Sequence, residues 1–230
     1  VSPHWMTRGA LVGLSARPDT IHDFGGFPRP LYEITYPAPG HAGLAQRAID
    51  LLQAAGWAAA GDAQRGLDHG AWVPLRYLYP DADVPVFQVS LPARLDGERA
   101  YAYGQALAPL AEEGVLVIGS GSLTHNLYEV RFDAPDANVE TYAVEFAHWI
   151  NTVVTSRDHA RLQQTMAVAP HAQRSHPTAE HLWPLMVAAG AAGAEVPATR
   201  IEGGITHGVL SMDAFQFGNL PAGAPDAVEA

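Results

Sequence analysis

The sequence GERAYAYGQALAPLAEEGVLVIGSGSLTHN occupies residues 97–126 and decides the fold. Its first part, residues 97–113, has the apolar spacing of a helix, and Gly114 supplies the stop. Residues 115–118 are wholly apolar and predict a buried strand, which runs directly into a loop of glycine and serine. Because helices that alternate with buried strands are typical of α/β proteins, this stretch predicts that class and leaves His125 just beyond a strand end.

The same alternation continues on both sides of this stretch. Further strands are predicted at residues 11–14, 84–91 and 208–217, and helices at 41–56, 138–168 (broken near Arg157) and 178–190. Residues 66–79 are predicted to be a loop that enters a short helix, with Asp68 near its start. We therefore expect a three-layer α/β/α domain with a central, mostly parallel or mixed sheet. Residues 1–218 are predicted to form one domain, and residues 219–230, rich in alanine, proline and glycine, a mobile tail.

Composition limits the chemistry that the chain can perform. The 230 residues include no cysteine, and all 13 basic residues are arginine. Thiolate metal sites, a cysteine nucleophile and Schiff-base chemistry on lysine are thereby excluded. The 11 histidines and the carboxylates remain as the groups for catalysis or metal binding.

Charge and hydropathy predict the location of the protein and the classes of partner that it lacks. A net charge of −11 argues against a nucleic-acid-binding surface. No apolar run approaches the roughly 20 residues that a membrane-spanning helix needs, and no leader segment is recognisable. The expectation is a soluble, cytoplasmic protein with neither nucleic acid nor membrane as a partner.

Three histidines occupy positions that favour a site. His4 and His125 each follow a predicted strand, and ligands of α/β sheets bind outside the carboxyl ends of strands. His181 falls in the first turn of the helix predicted at 178–190. A purely structural role for each histidine stays open on this argument alone. The Gly-Ser-Gly-Ser loop at residues 119–122 lacks the spacing of known phosphate-binding loops.

Six motifs occur in order along the chain: VSPHW at residues 1–5, IHDFGGFP at 21–28, GLDHGAW at 66–72, PDADVP at 80–85, HNL at 125–127 and PTAEHLWPL at 177–185. Together they resemble the motifs of the class III extradiol ring-cleavage dioxygenases of the LigB-like superfamily. They extend over nearly the whole chain and are most similar to the 4,5-DOPA dioxygenase-like subgroup. This resemblance implies an oxygen-dependent enzyme with a non-haem divalent metal, Fe(II) or Zn(II).

The resemblance also implies roles for individual histidines. It makes His4 and His181 metal ligands and His125 the acid/base residue, while His22 and His69 line the substrate pocket. The family's N-terminal GHGSP segment, which carries a further metal ligand, has no counterpart in the sequence, and Pro3 replaces the usual alanine. We expect His22 to be the nearest candidate for that ligand position. A missing strand would also expose a sheet edge and favour association with another chain, such as a homo-oligomer.

Aromatic side chains near these histidines predict the walls of a substrate pocket. They are Phe24, Phe27, Tyr32 and Trp72. Plain packing is an equally open interpretation of these rings. Asn126 is expected to contact substrate or to orient His125. Surface positions are predicted for His41, His148, His159, His171 and His176, whereas His207 lies at a turn from which it could approach the site.

The functional hypothesis is cleavage of a DOPA-like catechol by O2, as part of aromatic compound catabolism. A metal with open positions suits a substrate that binds through two oxygens, and a histidine near its ordinary pKa suits proton transfer. Two alternatives stay open: a zinc-dependent hydrolase on the same scaffold, and a metal-impaired, non-catalytic homologue.

Overall fold

The computed structural model describes residues 1–134 and 138–218. The predicted tail at 219–230 lies outside these residues. The helices are α1 (Ala42–Ala54), α2 (His69–Leu78), α3 (Gly97–Leu107), α4 (Pro109–Glu112), α5 (Thr141–Thr155), α6 (His159–Gln163), α7 (Thr165–Val168), α8 (Ala172–Ser175) and α9 (Trp183–Ala192), with 3-10 turns at Arg29–Tyr32 and Ala179–His181. The strands are β1 (Met6–Thr7), β2 (Ala10–Gly13), β3 (Ala59–Asp62), β4 (Leu91–Pro92), β5 (Ala198–Ile201), β6 (Ile205–Thr206), β7 (Leu210–Ser211) and β8 (Ala214–Phe217).

The strands of the described residues form four two-stranded pairs, two of them parallel and two antiparallel. β2 pairs with β3, and β1 pairs with β4, both in parallel. An antiparallel bridge between Val12 and Val89 connects the two pairs, supported by a hydrogen bond of 2.8 Å from the Ser90 N–H to the Leu11 carbonyl. Two antiparallel pairs, β5 with β8 and β6 with β7, follow at the carboxyl-terminal end of the described chain. The expected α/β class is confirmed.

Two apolar clusters lie on opposite faces of the segment that leads into β4. Phe87 and Val89 pack in the large cluster with α1, α3, α5 and α9. Val86 packs in the small cluster, and Gln88 on the same face bonds to Asp68 at the start of α2. Since successive side chains of an extended segment point to opposite faces, helices cover both sides of the sheet.

Local signals explain where the helices begin and end. The Asp68 side chain accepts a hydrogen bond from the Ala71 N–H and so caps α2, as its position in the sequence predicts. Arg157 adopts a positive φ of 61°, which breaks the predicted 138–168 helix between α5 and α6. Within the described residues no helix is both long enough and apolar enough to cross a bilayer.

Several predicted strands are shorter than the sequence suggests. Residues 115–118 form no assigned strand, although the Ser120 N–H donates to the Val1 carbonyl at 2.9 Å and joins this segment to the edge of the sheet. The predicted strand at 84–91 is reduced to β4 and the bridge at Val89, and the predicted 208–217 strand divides into β7 and β8. Apolar composition predicts which segments are buried, but it does not predict how regularly these segments pair as strands.

The closest helix contact in the large cluster depends on two glycines. A Cβ added at Gly104 of α3 would lie 2.0 Å from the Val187 carbonyl oxygen of α9, and one at Gly190 would lie 2.1 Å from that of Tyr101. These are backbone atoms that have no rotamer to change. The two helices therefore approach each other at a distance that only glycine permits.

We predict that Gly104→Ala lowers the free energy of unfolding by about 1–3 kcal/mol, because α3 and α9 must separate. Gly43→Ala is the matched control, since a Cβ there meets only the His41 ring at 3.5 Å on the exposed side of α1. It is expected to be neutral or stabilising by at most about 1 kcal/mol. Urea unfolding of both variants measures the difference, and an unchanged stability of Gly104→Ala would contradict this packing.

Candidate active site

The Gly-Ser-Gly-Ser loop lies directly against the turn that carries His181. The Ser122 N–H donates a hydrogen bond of 2.9 Å to the His181 carbonyl. A Cβ at Gly121 would lie 2.3 Å from the same oxygen, and one at Gly119 would lie 2.1 Å from the Pro184 carbonyl. The glycines therefore serve close packing of the loop on residues 181–184, which explains the motif without a phosphate.

This packing brings His125 onto His181. The His125 N–H donates to the Ser175 carbonyl at 2.8 Å, which fixes the backbone behind the ring. The two imidazole rings stack with centroids 3.4 Å apart and planes inclined by only 8°. Residues that are 56 positions apart in the sequence thus form one face of the site.

His4 reaches the same place from the amino-terminal side. Its ring centroid lies 5.3 Å from that of His181 and 3.9 Å from that of His69 at the start of α2. A Cβ at Gly70 would lie 2.2 Å from Ser2 Oγ and 3.0 Å from His4 Cδ2, so glycine at this position lets α2 approach His4. The three imidazoles come from three separate segments of the chain.

The spacing of His4 and His181 suits a shared metal ion. With metal–nitrogen bonds of roughly 2.0–2.1 Å, two imidazoles on one ion have ring centres about 5 Å apart. The nearby donors form two groups, each with all ligand atoms within 4.8 Å of one another: His4 with Asp23 and His69, and His125 with Glu180 and His181. His4 and His181 thus fall in different groups, and what relates them is the 5.3 Å between their ring centroids.

A carboxylate stands behind each of these two histidines. The Nδ1 of His181 lies 3.1 Å from Glu180 Oε1, and this oxygen also accepts a hydrogen bond of 2.9 Å from Thr178 Oγ1. The Nδ1 of His4 lies 3.9 Å from Asp23 Oδ2. Carboxylates in such positions orient metal-binding imidazoles and leave Nε2 for the ion.

The histidines of the site are held in the uncharged form. Burial, and then the neighbouring His125, lowers the pKa of His181 to about 4, although Glu180 acts in the opposite direction. Burial is also the main cause of the lowered pKa of His125 and of His4. A metal-binding imidazole must be neutral, so the site is ready for an ion without losing protons at pH 7.

Aromatic rings line one side of the histidines. Phe24 lies 5.6 Å from His69, 6.2 Å from Trp72 and 5.5 Å from Phe27, measured between ring centroids. Tyr32 adds a further ring at 5.1 Å from Phe24. Trp72 is buried and donates its Nε1–H to the Ile21 carbonyl at 2.9 Å, whereas Phe27 is 54% exposed. These side chains form a wall beside the histidines, and their contact with a substrate stays a prediction.

His22 lies within this wall. Its Nε2–H donates to the Ile34 carbonyl at 2.9 Å, and its ring centroid is 5.7 Å from that of Trp72. Among the described residues, neither of the two donor groups includes His22. Its pocket-lining role stays a prediction, and its role as a replacement metal ligand stays a prediction without geometric support.

Asn126 is buried beneath the loop. Its Nδ2 donates to the Arg174 carbonyl at 2.8 Å and to Glu129 at 3.0 Å, and its Oδ1 accepts from the Tyr128 N–H. These contacts hold the backbone that follows His125. A substrate contact by Asn126 stays a prediction, since every polar group of its side chain is already engaged.

Three residues with a part in the site were missed or misplaced by sequence reasoning. Asp23 and Glu180 each stand next to a histidine that the motifs identified, at positions 22 and 181, and that adjacency was the available signal. His176 was expected on the surface, but it is completely buried, with its ring against Phe146 and its Nε2–H donating to the Leu123 carbonyl at 2.8 Å. His207 instead bonds through Nδ1 to the Arg131 carbonyl, beside Phe132.

Comparison with known proteins identifies the class. Residues 1–209 match the family model described as the catalytic LigB subunit of aromatic ring-opening dioxygenase. The chain belongs to this family, and it is a ring-cleaving extradiol dioxygenase. The family implies a non-haem metal, for which the histidine and carboxylate groups above are suitable donors.

Individual relatives indicate which subgroup of the family the chain resembles. The 4,5-DOPA dioxygenase extradiol of Beta vulgaris is 43% identical over 94% of this chain and 81% of its own length. The protein of the same name from Escherichia coli K12 is 37% identical over 95% of this chain and 80% of its own. A crystal structure of an uncharacterized protein from Escherichia coli K12 matches with a TM-score of 0.77 at 33% identity, covering 94% of this chain and 84% of that one. The 4,5-DOPA dioxygenase-like resemblance is therefore confirmed.

We predict a pH dependence of stability that originates at His176. Burial lowers its pKa from 6.5 to about 4 in the folded protein, whereas the unfolded chain takes up the proton near 6.5. The unfolded state therefore binds more protons between these values, and stability falls as the pH is lowered through this window. At 1.36 kcal/mol per unit, the contribution of His176 is about 3 kcal/mol.

His176→Gln is expected to reduce the loss of unfolding free energy between pH 7 and pH 4 by about this amount. Urea unfolding at a series of pH values measures it. His148→Gln, at an exposed position of α5, controls for the removal of a surface histidine. An identical pH profile for wild type and His176→Gln would show that the buried ring does not cause the effect.

Proposed function

We propose that this protein opens the ring of a DOPA-like catechol with O2, at a non-haem Fe(II) or Zn(II) ion held by His4 and His181. The observation that supports it most is the convergence of these two imidazoles, 5.3 Å apart, each with a carboxylate near its Nδ1. When bound, the ion supplies open coordination positions for the two catechol oxygens and for dioxygen. We place this activity in a single domain of residues 1–218.

In this proposal His125 is the acid/base residue. Its ring lies against His181 and therefore beside any hydroxyl that approaches the ion. The lowered pKa keeps the ring uncharged at pH 7, so that it takes a proton from a catechol hydroxyl and later returns it to the opened product. Stacking on His181 and the backbone bond to Ser175 hold the ring in place for both steps.

The aromatic wall positions the substrate ring. Phe24 and Trp72 offer apolar surface next to His69, and apolar surface excludes water from the bound catechol. The names of the relatives support a DOPA-like catechol as the substrate. Membership of an aromatic ring-opening family favours this reaction over the hydrolase alternative. The catabolic role and the cytoplasmic location expected from the sequence stay predictions.

The activity test uses the purified protein loaded with Fe(II) or Zn(II) and supplied with L-DOPA or other catechols under oxygen. We expect a yellow ring-opened product and consumption of one O2 per catechol. Tyrosine, which lacks the second hydroxyl, is the control substrate and should give neither. Product formation without oxygen uptake would contradict the proposal and favour hydrolysis.

Substitutions separate metal binding from proton transfer. His4→Ala and His181→Ala are expected to lose most of the bound metal and the activity, because each removes a ligand. His125→Ala should keep the metal and lose at least about 100-fold in kcat, which is the usual contribution of an acid/base residue. His148→Ala controls for the loss of an exposed imidazole. Full metal content in His4→Ala would contradict the assignment.

Phe24→Ala tests the aromatic wall. Removing this ring takes apolar surface from the pocket, so we expect KM for L-DOPA to rise about 10-fold with metal content unchanged, because a buried aromatic contact contributes about 1 kcal/mol or more. Steady-state kinetics and metal analysis measure both. The matched control is Phe132→Ala, which removes an exposed ring beside His207. Equal KM values for Phe24→Ala and wild type would leave the wall with a packing role only.

A further inference from the structure

Asp23 lies where two imidazoles of the site meet. Its Oδ1 accepts two hydrogen bonds from His69, one from the backbone N–H at 2.9 Å and one from the ring Nδ1–H at 3.0 Å. Its Oδ2 lies 3.9 Å from Nδ1 of His4. A quarter of the Asp23 side chain is exposed to solvent.

The chemistry of this contact fixes the tautomer of His69. An ionised carboxylate can only accept hydrogen bonds, so Nδ1 of His69 must carry the proton and Nε2 keeps its lone pair. The carboxyl group of an aspartate has an ordinary pKa of about 3.9 and is ionised at neutral pH.

His69 stands between the metal-binding histidines and the aromatic wall. Its ring centroid is 3.9 Å from that of His4 and 5.6 Å from that of Phe24. A catechol that rests on the wall and turns its hydroxyls toward His4 and His181 brings one hydroxyl close to His69. An Nε2 with a lone pair at that place is a hydrogen-bond acceptor for that hydroxyl.

We infer that Asp23 is a positioning residue: it locks His69 in the Nδ1–H tautomer, so that Nε2 of His69 accepts a hydrogen bond from a catechol hydroxyl. This inference rests on the proposed function and adds to it a residue that acts only through His69. In this arrangement two histidines act on the substrate in different ways. His125 transfers the proton, and His69 recognises the substrate by accepting a hydrogen bond from one of its hydroxyls.

Two simpler roles for Asp23 can be separated from this one. As a cap of α2, Asp23 accepts only the His69 backbone N–H, since Asp68 accepts the Ala71 N–H. Loss of that cap alone would lower stability and leave the tautomer of the His69 ring unchanged. A metal-ligand role is conceivable because Asp23, His4 and His69 offer donor atoms within 4.8 Å of one another. That role requires metal content to fall when Asp23 is replaced, whereas the positioning role requires it to stay constant.

The first experiment reads the tautomer directly and needs no activity. Long-range proton–nitrogen spectra of the metal-free, nitrogen-15-labelled protein distinguish Nδ1–H from Nε2–H in His69. We expect Nδ1–H in the wild type, loss of it in Asp23→Ala, and retention of it in Asp23→Asn, whose amide oxygen still accepts the bond. Asp96→Ala, which removes the carboxylate that caps α3, is the control and should leave the His69 signals unchanged. The inference is overturned if Asp23→Ala keeps the wild-type tautomer.

The second experiment tests whether Asp23 acts through His69. We expect KM for L-DOPA to rise about 5- to 10-fold in Asp23→Ala and in His69→Ala, as the loss of one hydrogen bond predicts, with kcat changing less. The double variant should be no worse than His69→Ala, and bound metal should equal that of the wild type. Effects that multiply in the double variant, or metal lost from Asp23→Ala, would overturn the inference.

The two experiments also separate this inference from the proposed function. If the wild-type protein opens no catechol, the proposed function has failed, while the spectra still show whether Asp23 sets the tautomer of His69. If the wild type is active and Asp23→Ala leaves KM unchanged, the inference alone has failed.

Discussion

The site depends on one backbone contact, the hydrogen bond from the Ser122 N–H to the His181 carbonyl. It holds the glycine loop against the turn before α9, and it is possible only because Gly119 and Gly121 carry no side chain. Through this contact the position of His125 follows that of His181. The stacking of the two rings is therefore a consequence of backbone packing, and neither ring needs a side-chain partner to find the other.

Carboxylate side chains contact the imidazoles from the side that faces away from the site. Glu180 stands behind His181, and Asp23 stands behind His69 and near His4. Burial keeps the pKa values of His4 and His181 below the ordinary value. The carboxylate hydrogen bonds orient two rings, that of His181 through Glu180 and that of His69 through Asp23. The negative charge therefore lies on the carboxylates, while the imidazole nitrogens that face the site are uncharged.

Much of this arrangement could be predicted from sequence because its signals are local. The cap of α2 by Asp68, the break at Arg157 and the identity of His4, His125 and His181 all follow from residues close in the chain or from motifs. The metal-ligand and acid/base roles of these histidines stay predictions, although their proximity agrees with them.

The remaining features depend on distant contacts that no local pattern encodes. His176 is buried against Phe146, and its hydrogen-bond partner, the Leu123 carbonyl, lies more than fifty positions earlier. Asp23 meets His69 across 46 positions, and residues 115–118 lack a regular strand because their pairing with the start of the chain is limited to isolated bonds. Apolar composition predicts burial, but it does not predict which backbone groups find partners.

The division of the core into two clusters has a consequence for evolution. Phe24 and Trp72 belong to the small cluster with α2, whereas Gly104 and Gly190 hold α3 against α9 in the large one. Substitutions that reshape the wall need not disturb the helices that supply most of the buried apolar surface. Single substitutions in the wall can therefore change which aromatic compounds bind, while the packing of the helices that stabilises the fold stays the same.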